Sequence, residues 1–380
     1  MARRGIEHLK QASYFRAMDY WLLIPVLCMT LIGLYVLNPV YIERFSESYP
    51  SIFYRQAGAA LIGLLVALVI SALEAPTLRL IGWVVYFASI GLLALVLVDG
   101  YTMEEQWGAD RWLNLPVIGS FQPSELAKIG LAMVSAQFFE RISRHESTDW
   151  KGIAGLAVLY GVPILLISRQ PDFGTSVVIL FIFISMLFVF GLRWRYILLG
   201  LSTAVIMVPL AYFFYFEEYQ KNRILTFLYP GHDPDASYNL IQSRLAIANG
   251  GLAGSRLETP IHVPVKESDF IYSAVSEHMG FVGTTALLIF IFFFLARIFY
   301  VASKVHPVQP ASALTMVGIG AAMAFHMIEN IGMSLGLLPV TGVPLPFVSH
   351  GGTAMLTNFI GLGVLLCISM DRNVSKESTG

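Results

Sequence analysis

The sequence predicts an all-α polytopic membrane protein: ten transmembrane helices, with a large extracytoplasmic loop between the seventh and eighth. Three observations predict this. Of 380 residues, 56% are hydrophobic and 13% charged, about half the roughly 25% charged residues usual in soluble domains. The mean hydropathy is +0.68. Apolar runs close to the roughly 20 residues that cross hydrocarbon begin near residues 20, 54, 78, 122, 152, 174, 195, 271, 311 and 350. Residues 1–380 are therefore expected to form a single transmembrane domain, its outer loop at about 216–270.

The first run, Tyr20 to Leu37, follows Arg3, Arg4, Lys10 and Arg16 and ends at Asn38-Pro39. It is too long for the apolar core of a cleaved signal peptide, so it reads as a retained signal anchor. The runs at 122, 152 and 174 are interrupted by Lys128, Pro163 and a short turn. Basic residues orient the set. With the N-terminus inside, the inner segments carry Arg79, Arg141, Arg144, Lys151, Arg193, Arg195, Arg297, Lys304, Arg372 and Lys376. The short outer loops carry only Arg44, Arg55, Arg111 and Arg169, which is the positive-inside bias. Ten spans return the C-terminus to the cytoplasm.

The outer segment is not a linker. Tyr219, Ile224, Leu225, Phe227 and Leu228 precede a break at Pro230 to Pro234; Leu240, Ile241, Leu245, Ile247 and Ala248 then recur at helical spacing. The second group is expected to lie on or dip into the membrane edge. No internal repeat appears, so a two-halved inverted-repeat transporter gains no support. A net charge of −1 offers no surface for nucleic acid. Cys28 and Cys367 sit in apolar runs and read as small core residues.

Four polar clusters remain. Gly108 to Asn114 contains Arg111, and Gln122-Pro123-Ser124-Glu125 opens a helix on which Glu125 and Lys128 share a face. They are read either as an ion pair locking helices or as a site for a polar ligand. Arg169 to Thr175 contains Asp172, a helix cap or a ligand group. The outer loop, with Asn222-Arg223, ends in Lys266-Glu267-Ser268-Asp269-Phe270, an acid at the mouth of a membrane helix, where ionisable groups are costly and functional. Gly336 to Thr353, with three prolines and four glycines between Gly336 and Thr353, cannot be a continuous span; such backbone persists at membrane depth only inside protein or along a cavity. In the ninth span, His326 and Glu329 share a face, as a structural hydrogen-bonded pair or a proton relay. Metal-ligand spacings, phosphate-cradling glycine loops and a serine-nucleophile elbow are absent from the sequence.

Taken in order, Gly108 to Leu113, Phe121 to Lys128, Gln170 to Thr175, Asn222 to Pro234, Ile241 to Leu252, Ser268 to Phe270 and Gly336 to Gly352 resemble the SEDS family of bacterial envelope proteins (shape, elongation, division and sporulation). The resemblance covers nearly the whole chain. Pro339 to Phe347 is more similar to the elongation member than to the division member. It implies a ten-helix fold in the bacterial cytoplasmic membrane and a peptidoglycan glycosyltransferase acting on lipid II. It further implies a class B penicillin-binding protein as partner, alongside other membrane proteins of the elongation complex. The family's essential aspartate falls on Asp269, and its Glu and Lys on Glu125 and Lys128. The chain departs from the family pattern at Val265 to Ser268, at His350 and Thr353, and in a shorter stretch between Gly254 and Val263.

On this footing Asp269 is expected to be the general base, and Arg111, Lys128, Arg223 and Lys266 are candidate cations for the pyrophosphate. Ser349 is a further substrate contact. A helix-capping role for Asp269 is the competing view. No motif assigns a cofactor, while a divalent cation, Mg or Mn, would find oxygen ligands in Glu125 or Asp172. The rival readings are a lipid II flippase, a non-catalytic scaffold for the transpeptidase, and the division or sporulation homologue.

Overall fold

A computed structural model describes residues 14–45, 51–100, 111–115, 119–144, 149–170, 172–191, 218–229, 234–256 and 260–377, with 202 and 214 besides. In order these form α1 (Tyr20–Phe45), α2 (Ser51–Ser71), α3 (Ala75–Asp99), β1 (Leu113–Leu115), β2 (Gly119–Phe121), α4 (Pro123–Ser143), α5 (Asp149–Ser168), α6 (Phe173–Phe190), α7 (Glu218–Leu228), α8 (Pro234–Asn249), α9 (Ile271–Val305), α10 (Pro310–Leu335) and α11 (Gly352–Glu377). The two strands form an antiparallel hairpin, with Asn114 opposite Ser120.

Seven of these helices, α1, α2, α3, α5, α9, α10 and α11, are long and apolar enough to cross a membrane. The chain is thus a mostly helical, polytopic membrane protein. α6 is apolar over the shorter stretch Gly174–Phe190. α4, expected from residue 122, forms but keeps Glu125, Lys128 and Glu140 buried. The run expected near residue 195 lies outside the described residues, as do Arg193, Arg195 and Pro230 to Asp233.

The expected lipid-facing surfaces and the core differ sharply. In α10 and α11, 78% of the most apolar window is buried, against 22% in α2. α10 is the central post, packed against α4, α6, α8, α9 and α11. Its small residues Gly318, Gly320, Ala321 and Ala324 allow that close approach. At one end of the bundle Arg297 of α9 holds the carboxylate of Asp19 through Nε and Nη2 at 2.9–3.1 Å.

Two boundaries differ from the sequence expectation. α1 does not stop at Asn38-Pro39 but continues through Pro39 to Phe45. Proline is tolerated inside a membrane helix when neighbours and local adjustment meet the freed carbonyl. The extra turns bring Glu43 to the opposite end of the bundle. The second difference lies in α9. Thirty-five residues would extend about 52 Å, well beyond the ~30 Å hydrocarbon core. The helix breaks at Gly280, with φ 62° and ψ −159°. Residues 271–277 are buried on every face, whereas Phe281 and Val282 are 63% and 64% exposed. The lipid-facing span therefore starts after the break, and a short buried half-helix precedes it.

The break is closed by the loop after α8. Phe281 N donates to Gly251 O (2.8 Å), Val282 N to Leu252 O (3.0 Å) and Ser255 N to Glu277 O (2.6 Å). These bonds replace the helical ones lost at Gly280. A Cβ on Gly280 would lie 2.5 Å from Gly254 N and from Leu252 C. Gly280→Ala is expected to destabilise the fold by about 1–3 kcal/mol from backbone strain alone. Thermal unfolding in detergent checks this; an unchanged midpoint would show that the break is not constrained as described.

Candidate functional site

The loop between α10 and α11 organises one end of the bundle. Gly336, at φ 75°, ends α10 in a left-handed cap. Prolines 339, 344 and 346 then keep the chain from re-forming a helix. Its backbone carbonyls, left without helical donors, are met by side chains from three other elements, α7, α10 and α2. Arg223 Nη1 of α7 donates to Thr341 O at 3.3 Å. Asn330 Nδ2 of α10 donates to Val343 O at 2.8 Å. His326 of α10 bonds the backbone of Pro344. Gln56 Nε2 of α2 donates to Ser349 O (3.0 Å), and its Oε1 accepts from Gly351 N (3.1 Å). Around the start of α6, Gly174 lies close enough that a Cβ there would be 3.4 Å from Val343 Cγ2.

Against this loop sits the turn that carries Asp269. Val265, at φ 54°, is a β-branched residue in left-handed backbone, a costly conformation. Its carbonyl accepts from the amides of Ser268 (3.2 Å), Asp269 (3.2 Å) and Phe270 (3.4 Å). Ser349 Oγ donates to Ser268 O (2.6 Å) and accepts from Leu345 N (2.8 Å). His350 N donates to Glu267 O at 2.8 Å. Asn330 Nδ2 reaches Asp269 O at 2.8 Å. Two irregular segments, far apart in sequence, are thus stitched together through backbone groups.

The Asp269 side chain is 8% exposed and accepts from Ser268 Oγ at 2.9 Å through Oδ1. It does not cap α9: the cap position belongs to Phe270, and no side chain bonds there. The capping view fails because the turn of Val265 places Asp269 one residue too early. Ser349, expected to touch substrate, clasps the turn through its hydroxyl.

Lys266, expected as a cation for the pyrophosphate, is engaged inside the protein. It is 4% exposed and lies in ion pairs with Glu277 of the buried half-helix and with Glu43 Oε2 of α1 at 3.4 Å. Glu277 Oε1 also accepts from Ile261 N at 2.7 Å. A buried carboxylate demands such partners, so Lys266 anchors the half-helix. Glu277 was not singled out by sequence reasoning. Its signal was an acid seven residues into an apolar run.

Glu125 and Lys128 meet at 2.8 Å, both buried on α4. The pair is not isolated: Lys128 Nζ also lies 2.7 Å from His326 Nε2. Pro344 has no N–H, so its backbone can only accept, and His326 must donate to it through Nδ1. Nε2 is then the acceptor for the Lys128 ammonium. His326 and Glu329, expected to pair, engage different partners. Glu329 Oε1 accepts from Thr341 Oγ1 at 3.0 Å. Beside Lys128 and His326 opens a small cleft of about 20 Å³, walled by Ile129, Ile319 and Met323 and edged by Thr357 and Asn358.

Asp172 does cap α6, accepting from Thr175 N (3.1 Å) and Thr175 Oγ1 (2.8 Å). It also faces Arg111 Nη1 at 3.8 Å and Gln122 Nε2 at 3.3 Å. The expected cap is therefore present, and the same carboxylate faces the Arg111 guanidinium. As oxygen ligands for a divalent cation, Glu125 and Asp172 fit poorly, because these donors already engage their carboxylates. Among the described residues no three His, Cys, Asp or Glu side chains converge on a metal position.

The family model described as "Cell cycle protein", which groups FtsW, RodA and SpoVE, matches residues 17–374. The chain is 34% identical over 364 residues to the peptidoglycan glycosyltransferase MrdB of Escherichia coli, covering 93% of this chain and 95% of that one. It is 32% identical over 378 residues to a probable peptidoglycan glycosyltransferase FtsW of Thiomicrospira cyclica, covering 95% and 94%. Among solved structures, one described as the coordination of polymerization and crosslinking by a peptidoglycan synthase complex is similar at TM-score 0.79 and 33% identity, over 93% of this chain and 98% of that chain. The crystal structure of the Thermus thermophilus rod shape determining protein RodA is similar at TM-score 0.68 and 30% identity, over 93% and 97%.

Proposed function

Because the chain belongs to the cell cycle protein family of FtsW, RodA and SpoVE, we propose that it is a peptidoglycan glycosyltransferase of the RodA type. It polymerises lipid II, a disaccharide-peptide on undecaprenyl pyrophosphate, during cell-wall elongation. The observation that carries this reading is a low-exposure carboxylate, Asp269, held on a braced turn at the end of the bundle where the polar segments gather.

In this reading Asp269 takes the proton from the acceptor sugar's 4-hydroxyl as that oxygen attacks the anomeric carbon of the donor. The bond from that carbon to the pyrophosphate oxygen breaks, and the lipid pyrophosphate leaves with the electron pair. Attack from the opposite face inverts an α-linked donor to a β-linked product, so no covalent nucleophile is needed. A positioned base contributes typically about 10²–10⁴-fold. Arg223 and Arg111, whose guanidinium groups suit bidentate phosphate contact, are the cations assigned to the pyrophosphate. Lys128, beside an apolar-walled cleft, suits a lipid-linked anion. A divalent cation carries no step.

The ten-span topology, both termini in the cytoplasm, the bacterial inner membrane and an outward-facing 216–270 loop belong to the same proposal, supported by the distribution of basic residues. So does a class B penicillin-binding protein as partner, which the synthase complex makes the natural expectation.

The test is direct. Purified protein supplied with lipid II is expected to yield glycan strands that moenomycin does not suppress. Movement of lipid II across vesicles without any glycan would instead support a flippase, for which the buried Glu125–Lys128–His326 line would be the path.

A further inference from the structure

We infer that Asn330 is a positioning residue for Asp269, acting through the backbone. Asn330 lies in the last two turns of α10 and is fully buried. Its single amide nitrogen gives one hydrogen to Asp269 O and the other to Val343 O, both at 2.8 Å. It is therefore a two-pronged donor joining the turn of the proposed base to the proline-rich loop. Two carbonyl acceptors also fix the orientation of the amide, since a flipped group would set Oδ1 against two oxygens. Oδ1 itself has no hydrogen-bond partner among the described residues. The residue is thus placed for what it donates.

Such a tie has work to do here because both segments it joins are strained. Val265 in the turn and Phe347 in the loop hold positive φ, at 54° and 66°, without being glycine. Strained backbone persists only where its surroundings over-determine it. Ser349 and His350 brace the turn at Ser268 and Glu267. Asn330 grips the carbonyl of Asp269 itself. α10 adds rigidity from behind, since Ser334 Oγ donates to Asn330 O at 2.8 Å.

Chemistry separates this role from simple packing. Asn330→Asp keeps size and shape but replaces the donor with a carboxylate facing two carbonyls. Asn330→Ala removes the donor and leaves both carbonyls unmet in a buried site. Misplacing a catalytic group by about 1 Å can cost about 10²-fold in rate. Both variants are expected to lower kcat for glycan formation by about that factor, with KM for lipid II changed less than about twofold, since ground-state binding is untouched.

The activity half of this inference rests on the glycosyltransferase reading, so a second measurement stands apart from it. Amide hydrogen exchange in the purified proteins should show faster exchange in Asn330→Ala and Asn330→Asp over residues 265–274 and 343–351, where Ser268, Asp269 and Phe270 donate to Val265 O. Exchange across the spans should be unchanged. If Asn330→Ala fails to insert, the size-matched Asn330→Asp carries the test. Unchanged exchange, or full kcat in a wild-type-active preparation, overturns the positioning role. Loosened exchange with no glycan from wild type would overturn the enzymatic reading and leave the backbone tie standing.

Discussion

Asp269→Ala and Asp269→Asn are expected to reduce glycan formation from lipid II by about 10²–10⁴-fold, the usual contribution of a placed base. Both should insert, purify and unfold like the wild type. The reason is geometric. Asp269 does not cap α9, since Phe270 holds that position without a side-chain bond. The turn is held by backbone bonds to Val265, Ser349 and Asn330 that neither substitution touches. Gel analysis of the polymer alongside thermal unfolding checks the two halves together. Near-normal polymer from either variant would remove Asp269 from the reaction. Asparagine is the sharper variant, because it keeps volume and polarity and loses only basicity.

The second large effect is expected at Lys266, and it is structural. Lys266→Ala would leave Glu277, 2% exposed, as a buried carboxylate without its cation. Breaking a buried pair in this way typically costs roughly 3–5 kcal/mol. The loss should appear as a lower unfolding temperature and poor recovery from the membrane. Neutralising both partners, Lys266→Met with Glu277→Leu, should recover much of it, because the more deeply buried carboxylate goes with its cation, leaving only the 27% exposed Glu43 without that ion pair. Recovery will be partial, as Ile261 N loses its acceptor at Glu277 Oε1. If Lys266 instead met the substrate pyrophosphate, Lys266→Ala would raise KM and leave stability alone. A normal unfolding curve with a raised KM would thus reverse the assignment made here.

Much of the site was visible in the sequence as residue type and order. Asp269, Glu125, Lys128, Asp172 and Arg223 stand out because polar groups are rare in a chain with 13% charged residues. What they touch was not visible. The i,i+3 spacing of His326 and Glu329 suggested a pair, yet His326 reaches Lys128, 198 positions away, and Glu329 reaches Thr341. Spacing reports which residues share a face, not what stands opposite. Gln56, Glu277 and Asn330 were passed over as agents because their partners include backbone groups, and a carbonyl leaves no mark in a sequence.

The same division holds for the fold. Apolar runs and basic residues by themselves determined that this is a multi-span helical protein and where most of its helices lie, because burying unpaired backbone in hydrocarbon is prohibitive. Only the tertiary structure decided that α1 runs on through Pro39 and that α9 breaks at Gly280. Hydropathy cannot distinguish a helix facing lipid from one facing protein, since both are apolar. The break became possible only once the loop after α8 supplied acceptors for the amides of Phe281 and Val282. Local chemistry chose the helices; distant hydrogen-bond partners chose where they could stop.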